Sequence, residues 1–167
     1  MRRRAAGCLA VALGACGNPA EPHGTGRVHL AVQGTTDTVR FEVPVMARRC
    51  AGGGGVLVTG AREGQGVLLL LRSAEPVVDT GSYVLLTRAD SAALRGAIVA
   101  IRFSVGPTSH GLTVDDGTAR VSRTTPTLAA SVRGRGVETG TAVQRTAELT
   151  VDDVPLAPDS AYCRVQP

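Results

Sequence analysis

Two stretches near the front of the chain alternate apolar and polar residues with a period of two. In residues 27–33, Val28, Leu30 and Val32 share one face, and Arg27, His29 and Gln33 share the other. In residues 38–43, Val39, Phe41 and Val43 fall together in the same way. A period of two is the mark of a strand with one wet face and one buried face, and the polar residues 34–37 between the two predict a hairpin. Comparable runs follow at 56–59, 67–72, 82–87, 97–105, 112–114, 119–122, 128–133 and 142–151, punctuated by glycine, proline and aspartate. Residues 67–71 are apolar on both faces, as a strand covered on both sides requires. Asp115-Asp116-Gly117 predicts a tight turn joining two of the runs, because Asp-Gly suits positive φ. Residues 89–96 are the one helix candidate, at most about two turns long. The pattern predicts an all-β chain of about 8–10 strands with little or no helix. The expected architecture is an antiparallel β-sandwich, immunoglobulin-like or partly closed into a barrel.

The first residues follow another rule. Arg2, Arg3 and Arg4 precede an apolar run at 5–13, and small residues lead to a cysteine in Leu13-Gly14-Ala15-Cys16. Charged, apolar and small-residue regions in that order make an export signal, and the apolar run is far short of the roughly 20 residues a membrane span needs. Leu13-Gly14-Ala15-Cys16 resembles the lipobox of bacterial lipoproteins, a resemblance confined to about the first 17 residues. It implies that the Cys16 thiol receives a diacylglyceryl group, that the chain is cut before it, and that the new N-terminus is acylated. Several acyl chains hold a domain on a bilayer where one would be marginal. The expected organisation is a signal peptide at 1–15, an acylated tether of small, polar and proline residues at 16–26, and one domain at 27–167. The expected place is the bacterial cell envelope, outside the cytoplasm. Gly17 stands where some inner-membrane lipoproteins carry aspartate, which leans toward the outer membrane.

The formal charge of +4 and pI near 9.3 suggest a polyanion partner. Removing Arg2, Arg3 and Arg4 leaves 15 arginines against 14 acids, about +1, which is no footprint for nucleic acid. Every basic residue is arginine, which removes Schiff-base, phosphate-loop and serine-lysine chemistry. The aromatics are Phe41, Phe103, Tyr83 and Tyr162, with no tryptophan, too few for a stacking platform for bases or sugars. Of the four cysteines, Cys8 leaves with the signal and Cys16 is acylated. Cys50 and Cys163 remain, and in an exported domain they predict one disulfide. No CxxC motif or Cys/His cluster points to a metal, and no cofactor is implied.

The sharpest candidate for chemistry is Val77-Val78-Asp79-Thr80-Gly81-Ser82, which resembles the Asp-Thr-Gly-Ser signature of aspartic proteases. The resemblance implies a carboxylate that shares a proton with a second one to activate water. With a single copy in the chain, that pairing would need Asp79 from each half of a homodimer, as in retroviral proteases. The competing reading is a turn, in which Asp79 bonds its neighbours. Ser109 and His110 are adjacent and would point to opposite sides of an extended chain, so His110 reads as a loop histidine; His23 and His29 lie apart from it. Gly52 to Gly55 read as a flexible loop, and Asp115-Asp116 and Asp152-Asp153 as solvated turns rather than calcium loops. Arg133-Gly134-Arg135-Gly136 reads as a strand with arginines outward. The function expected is a non-catalytic binding, assembly or structural role of an envelope lipoprotein, attached to the membrane through Cys16, with an envelope protein or ligand as partner. A retropepsin-like protease using Asp79 is one alternative. A carrier of apolar ligands is the other, and it requires an enclosed cavity of several hundred Å³ lined by valine and leucine.

Overall fold

The structure, a computed structural model, describes residues 26–87, 90 and 93–163. Nine strands run in order: β1 (Gly26–Gln33), β2 (Thr38–Cys50), β3 (Gly55–Arg62), β4 (Gln65–Arg72), β5 (Gly81–Val84), β6 (Gly96–Val105), β7 (Thr108–Arg123), β8 (Thr127–Glu138) and β9 (Gln144–Ala161). The expected hairpin is β1 with β2, in register Leu30↔Phe41 and Val32↔Val39. The Gly34 N–H closes its turn by donating to the Asp37 carbonyl at 2.8 Å.

The chain is all-β and antiparallel as expected, but of the two expected forms it takes the barrel rather than the sandwich, and the barrel is closed. Following hydrogen bonds from β1 through β2, β3, β4, β6, β7, β8 and β9 returns to β1, so eight strands close into a barrel and β5 joins β7 at its side. Closure comes from β7 and β8, which pair from Leu112↔Glu138 to Arg123↔Ala129 and so unite what would have been the two sheet edges. Three strands, β2, β7 and β9, are long enough to serve more than one neighbour along one edge. The 16-residue β7 pairs with β6 through its start and with β5 through residues 118–121. The 18-residue β9 pairs antiparallel with β1 and then, beyond the first residue of β1, in parallel with the end of β2.

The turn expected at Asp115-Asp116-Gly117 is absent, because these residues lie inside β7. The pairing slips between Val114 and Asp116, and Gly117 adopts a φ of +136° where a Cβ would collide with the Arg133 carbonyl. Asp-Gly therefore bends one long strand around the barrel as a bulge instead of reversing it. The helix candidate at 89–96 falls partly outside the described residues. Among the described residues there is no α-helix, and Asp90 and Ala93 donate backbone N–H groups to Thr87 and Asp90 in turn contacts.

The barrel is filled by alternate side chains of every wall strand. Val28, Val43, Val58, Leu69, Val99, Val114, Leu128 and Leu149 are all closed to water. A second, smaller cluster lies outside the wall, where Leu70 and Ile98 meet Leu86 and Cys50. It explains the two-faced β4: Leu69 and Leu71 point in, while Leu70 is covered from outside. The barrel has two unlike ends. The ionic end carries the turns at 34–37, 63–64, 106–107 and 139–143. The disulfide end carries the loop at 51–54, the connections flanking β5, the start of β1 and Cys163.

Candidate functional site

At the ionic end the inner rows of three strands finish in polar side chains. On β8 the inward positions are Leu128, Ala130, Val132, Gly134 and Gly136, and the same parity delivers Glu138. On β9, Ala147, Leu149 and Val151 point in, and the same parity places Arg145 at the mouth. Glu138 is 4% exposed and Arg145 is 8% exposed. Arg145 Nε donates to Glu138 Oε2 at 2.6 Å, and its Nη1 donates to both carboxylate oxygens of Asp37 at 2.9 and 3.0 Å. His110 Nδ1 lies 2.6 Å from Glu138 Oε1. An ionised carboxylate accepts only, so Nδ1 carries the hydrogen.

Phe103 floors this group, with His110 stacked on it at 5.3 Å and the Arg145 guanidinium 5.1 Å from its ring centre. The Arg145 hydrogen bond, with help from His110, holds the Glu138 carboxyl below its ordinary range against the pull of burial. Burial opposes the charge on Arg145, but the bonds to Glu138 and Asp37 outweigh it and raise its pKa. Both oxygens of Glu138 are occupied, so the group is a fully paired plug rather than a poised base. His110 belongs to β7 and to this plug and is not a loop histidine. The signal for Glu138 and Arg145 is strand parity, counted forward from Val132 through Gly134 and Gly136 and back from Ala147. It puts Val137 outward and Glu138 inward, against ordinary patterning.

Asp79 sits at the other end in the connection before β5. Its Oδ1 accepts from the Tyr83 hydroxyl at 2.5 Å and from Arg95 Nη1 at 2.9 Å. The Arg95 guanidinium lies 4.3 Å above the Tyr83 ring, and the ring fills the barrel mouth. The Tyr83 hydroxyl, and after it Arg95, hold the Asp79 carboxyl below its ordinary value. Burial, reinforced by the Asp79 carboxylate, pushes the Tyr83 phenol up to about 12. An acid protease needs a carboxylate whose proton is shared with another carboxylate; Asp79 is instead bonded to the strand it introduces.

Cys50, the last residue of β2, is bonded to Cys163, with the Cα atoms 5.4 Å apart. The bridge floors a surface depression of about 390 Å³, walled by Leu70, Leu94, Tyr162 and the glycine loop. A second open depression of about 420 Å³ crosses β1 between His29, Arg40, Phe41 and Glu148. Among the described residues the inner side chains of the barrel are closed to water. Arg133 and Arg135 point outward and meet Glu148 and Asp116. Asp153 lies on β9 and pairs with Arg123. Among the described residues no group of three His, Cys, Asp or Glu side chains is placed to hold a metal ion. Cys16, the lipidation candidate, and His23 lie outside the described residues. The chain matches no family model, no curated protein and no solved structure.

Proposed function

We propose that this chain is a bacterial cell-envelope lipoprotein, anchored through acyl groups on Cys16 and facing away from the cytoplasm, with the outer membrane favoured by Gly17. Its barrel serves a non-catalytic binding, assembly or structural role toward an envelope partner. The observation that carries the reading is the Cys50–Cys163 disulfide behind the Leu13-Gly14-Ala15-Cys16 motif. A structural disulfide belongs to an oxidising compartment, and the motif supplies an export signal. The paired state of Glu138, Arg145 and Asp79 supports a non-catalytic role, and the filled interior supports a partner met at the surface rather than a cargo carried inside.

The test is acylation. The full chain, expressed in a bacterial host, takes up radiolabelled palmitate and partitions with membranes. The Cys16→Ser chain loses the label and appears in the soluble fraction. Membrane attachment that survives the substitution overturns the anchor.

A further inference from the structure

The disulfide end carries exposed apolar side chains that no part of the described fold covers. Leu94 is 71% exposed and Tyr162 is 89% exposed, and both line the depression that Cys50 and Cys163 also line. Val77 is exposed nearby, one residue after Pro76, whose carbonyl accepts from the Gly54 N–H of the glycine loop. Gly26, which begins β1, enters at this same end, pairing with Val45 as β2 runs on toward Cys50. The ten residues from Cys16 to Gly26 span at most about 35 Å even when fully extended. An anchor on Cys16 therefore keeps the start of β1 within about 35 Å of the bilayer, and the ionic end lies at the far end of the 13-residue β2.

We infer that, given the anchor proposed above, the disulfide end of the barrel rests on the lipid surface, with Leu94 and Tyr162 set among the headgroups. Tyrosine is suited to that layer, having an apolar ring for the acyl boundary and a hydroxyl for the water side. The tether makes the contact intramolecular in effect, so a small apolar patch that would not hold a free domain on a membrane is enough to orient a tethered one. The ionic end then faces away from the membrane, presenting its turns to soluble or opposing partners.

The chain has no tryptophan, so one introduced residue is an unambiguous fluorophore. Full-length acylated Leu94→Trp and Val143→Trp chains, the second probing the ionic end, are reconstituted into phosphatidylethanolamine and phosphatidylglycerol vesicles containing brominated phosphatidylcholine. A non-reducing mass map of Cys50–Cys163 confirms the fold of each, and Tyr162→Trp stands in for Leu94→Trp if that chain does not fold. The lipid-borne quencher should reduce emission at least about threefold more at position 94 than at position 143, as expected for a side chain at the interface. Equal quenching in chains that float with the vesicles overturns the orientation and leaves the anchor standing. Chains that do not float with the vesicles overturn both.

Discussion

The two mouths of the barrel are closed by the same three pieces in different surroundings. Each has an aromatic ring on the inner face, an arginine over the ring, and a carboxylate holding the arginine: Phe103, Arg145 and Glu138 at one end, Tyr83, Arg95 and Asp79 at the other. At the first mouth the ions are buried. At the second, the Arg95 and Asp79 side chains are 41% and 56% exposed. Buried charges are costly to separate because the survivor has no water to turn to, whereas exposed pairs are screened and contribute little. The same constellation is thus a lock at one end and a cover at the other. The weaker mouth lies at the end where Cys50–Cys163 fixes the chain covalently.

Two substitutions separate these contributions. Replacing both cysteines, Cys50→Ser with Cys163→Ser, opens a closure between residues 113 apart. In the loop-entropy model it should lower the unfolding free energy by about 4 kcal/mol, read from urea denaturation. A change below about 1 kcal/mol would mean that β2–β9 pairing alone holds this end, and the comparison of ends would lose its covalent half. Next comes Arg145→Ala, which strands Glu138 in the wall and should cost about 3 kcal/mol. Its pH dependence has a definite sign. Glu138 titrates below its ordinary value in the folded protein, so its contribution is complete above the unfolded carboxyl pKa and is lost as pH falls through the folded one. Asp79 and Asp90, also lowered, act in the same direction. Wild-type stability should fall as pH drops below the ordinary carboxyl range of about 4, and the Arg145→Ala chain should show a shallower fall. An identical slope in both would mean that Glu138 does not draw on Arg145.

The alternation of Val28, Leu30 and Val32 against Val39, Phe41 and Val43 made the first hairpin legible, because one face of each strand must leave water. The disulfide was legible as well, since the expectation that Cys8 and Cys16 serve the N-terminal segment leaves Cys50 and Cys163 to pair. Closure into a barrel was not, because it depends on β7 and β8 running unbroken through segments that look like turns. Asp115-Asp116-Gly117 has the local chemistry of a reversal, and only the partner strand β8 makes it a bulge. Asp79 resembled a protease residue through its neighbours in sequence, while its character comes from Tyr83 four residues on and Arg95 beyond a connection. The plug was half legible. Parity from Val132 leads inward to Glu138 and from Ala147 back to Arg145, but charged residues at inward positions run against the hydrophobic pattern that marks a strand's end.

The smallest effects belong to the exposed mouth. Tyr83→Phe removes one buried hydroxyl and its bond to Asp79 and should cost about 1 kcal/mol, while Arg95→Ala should leave the urea midpoint near that of the wild type. The finer measurement is ultraviolet titration of the phenol. Tyr83 ionises near pH 12 in the folded protein, so the stability it contributes is complete below the ordinary tyrosine pKa of about 10 and is lost as pH climbs toward the folded value. Burial is the larger cause of that shift and the Asp79 carboxylate the smaller. Asp79→Asn should therefore lower the Tyr83 transition without returning it to the ordinary value. A full return would mean that the charge alone raises it and that the ring does not fill the mouth, in which case the two ends differ in packing as well as in exposure. A transition unmoved by Asp79→Asn would mean that the carboxylate has no hold on the phenol, leaving the ring in place through burial alone.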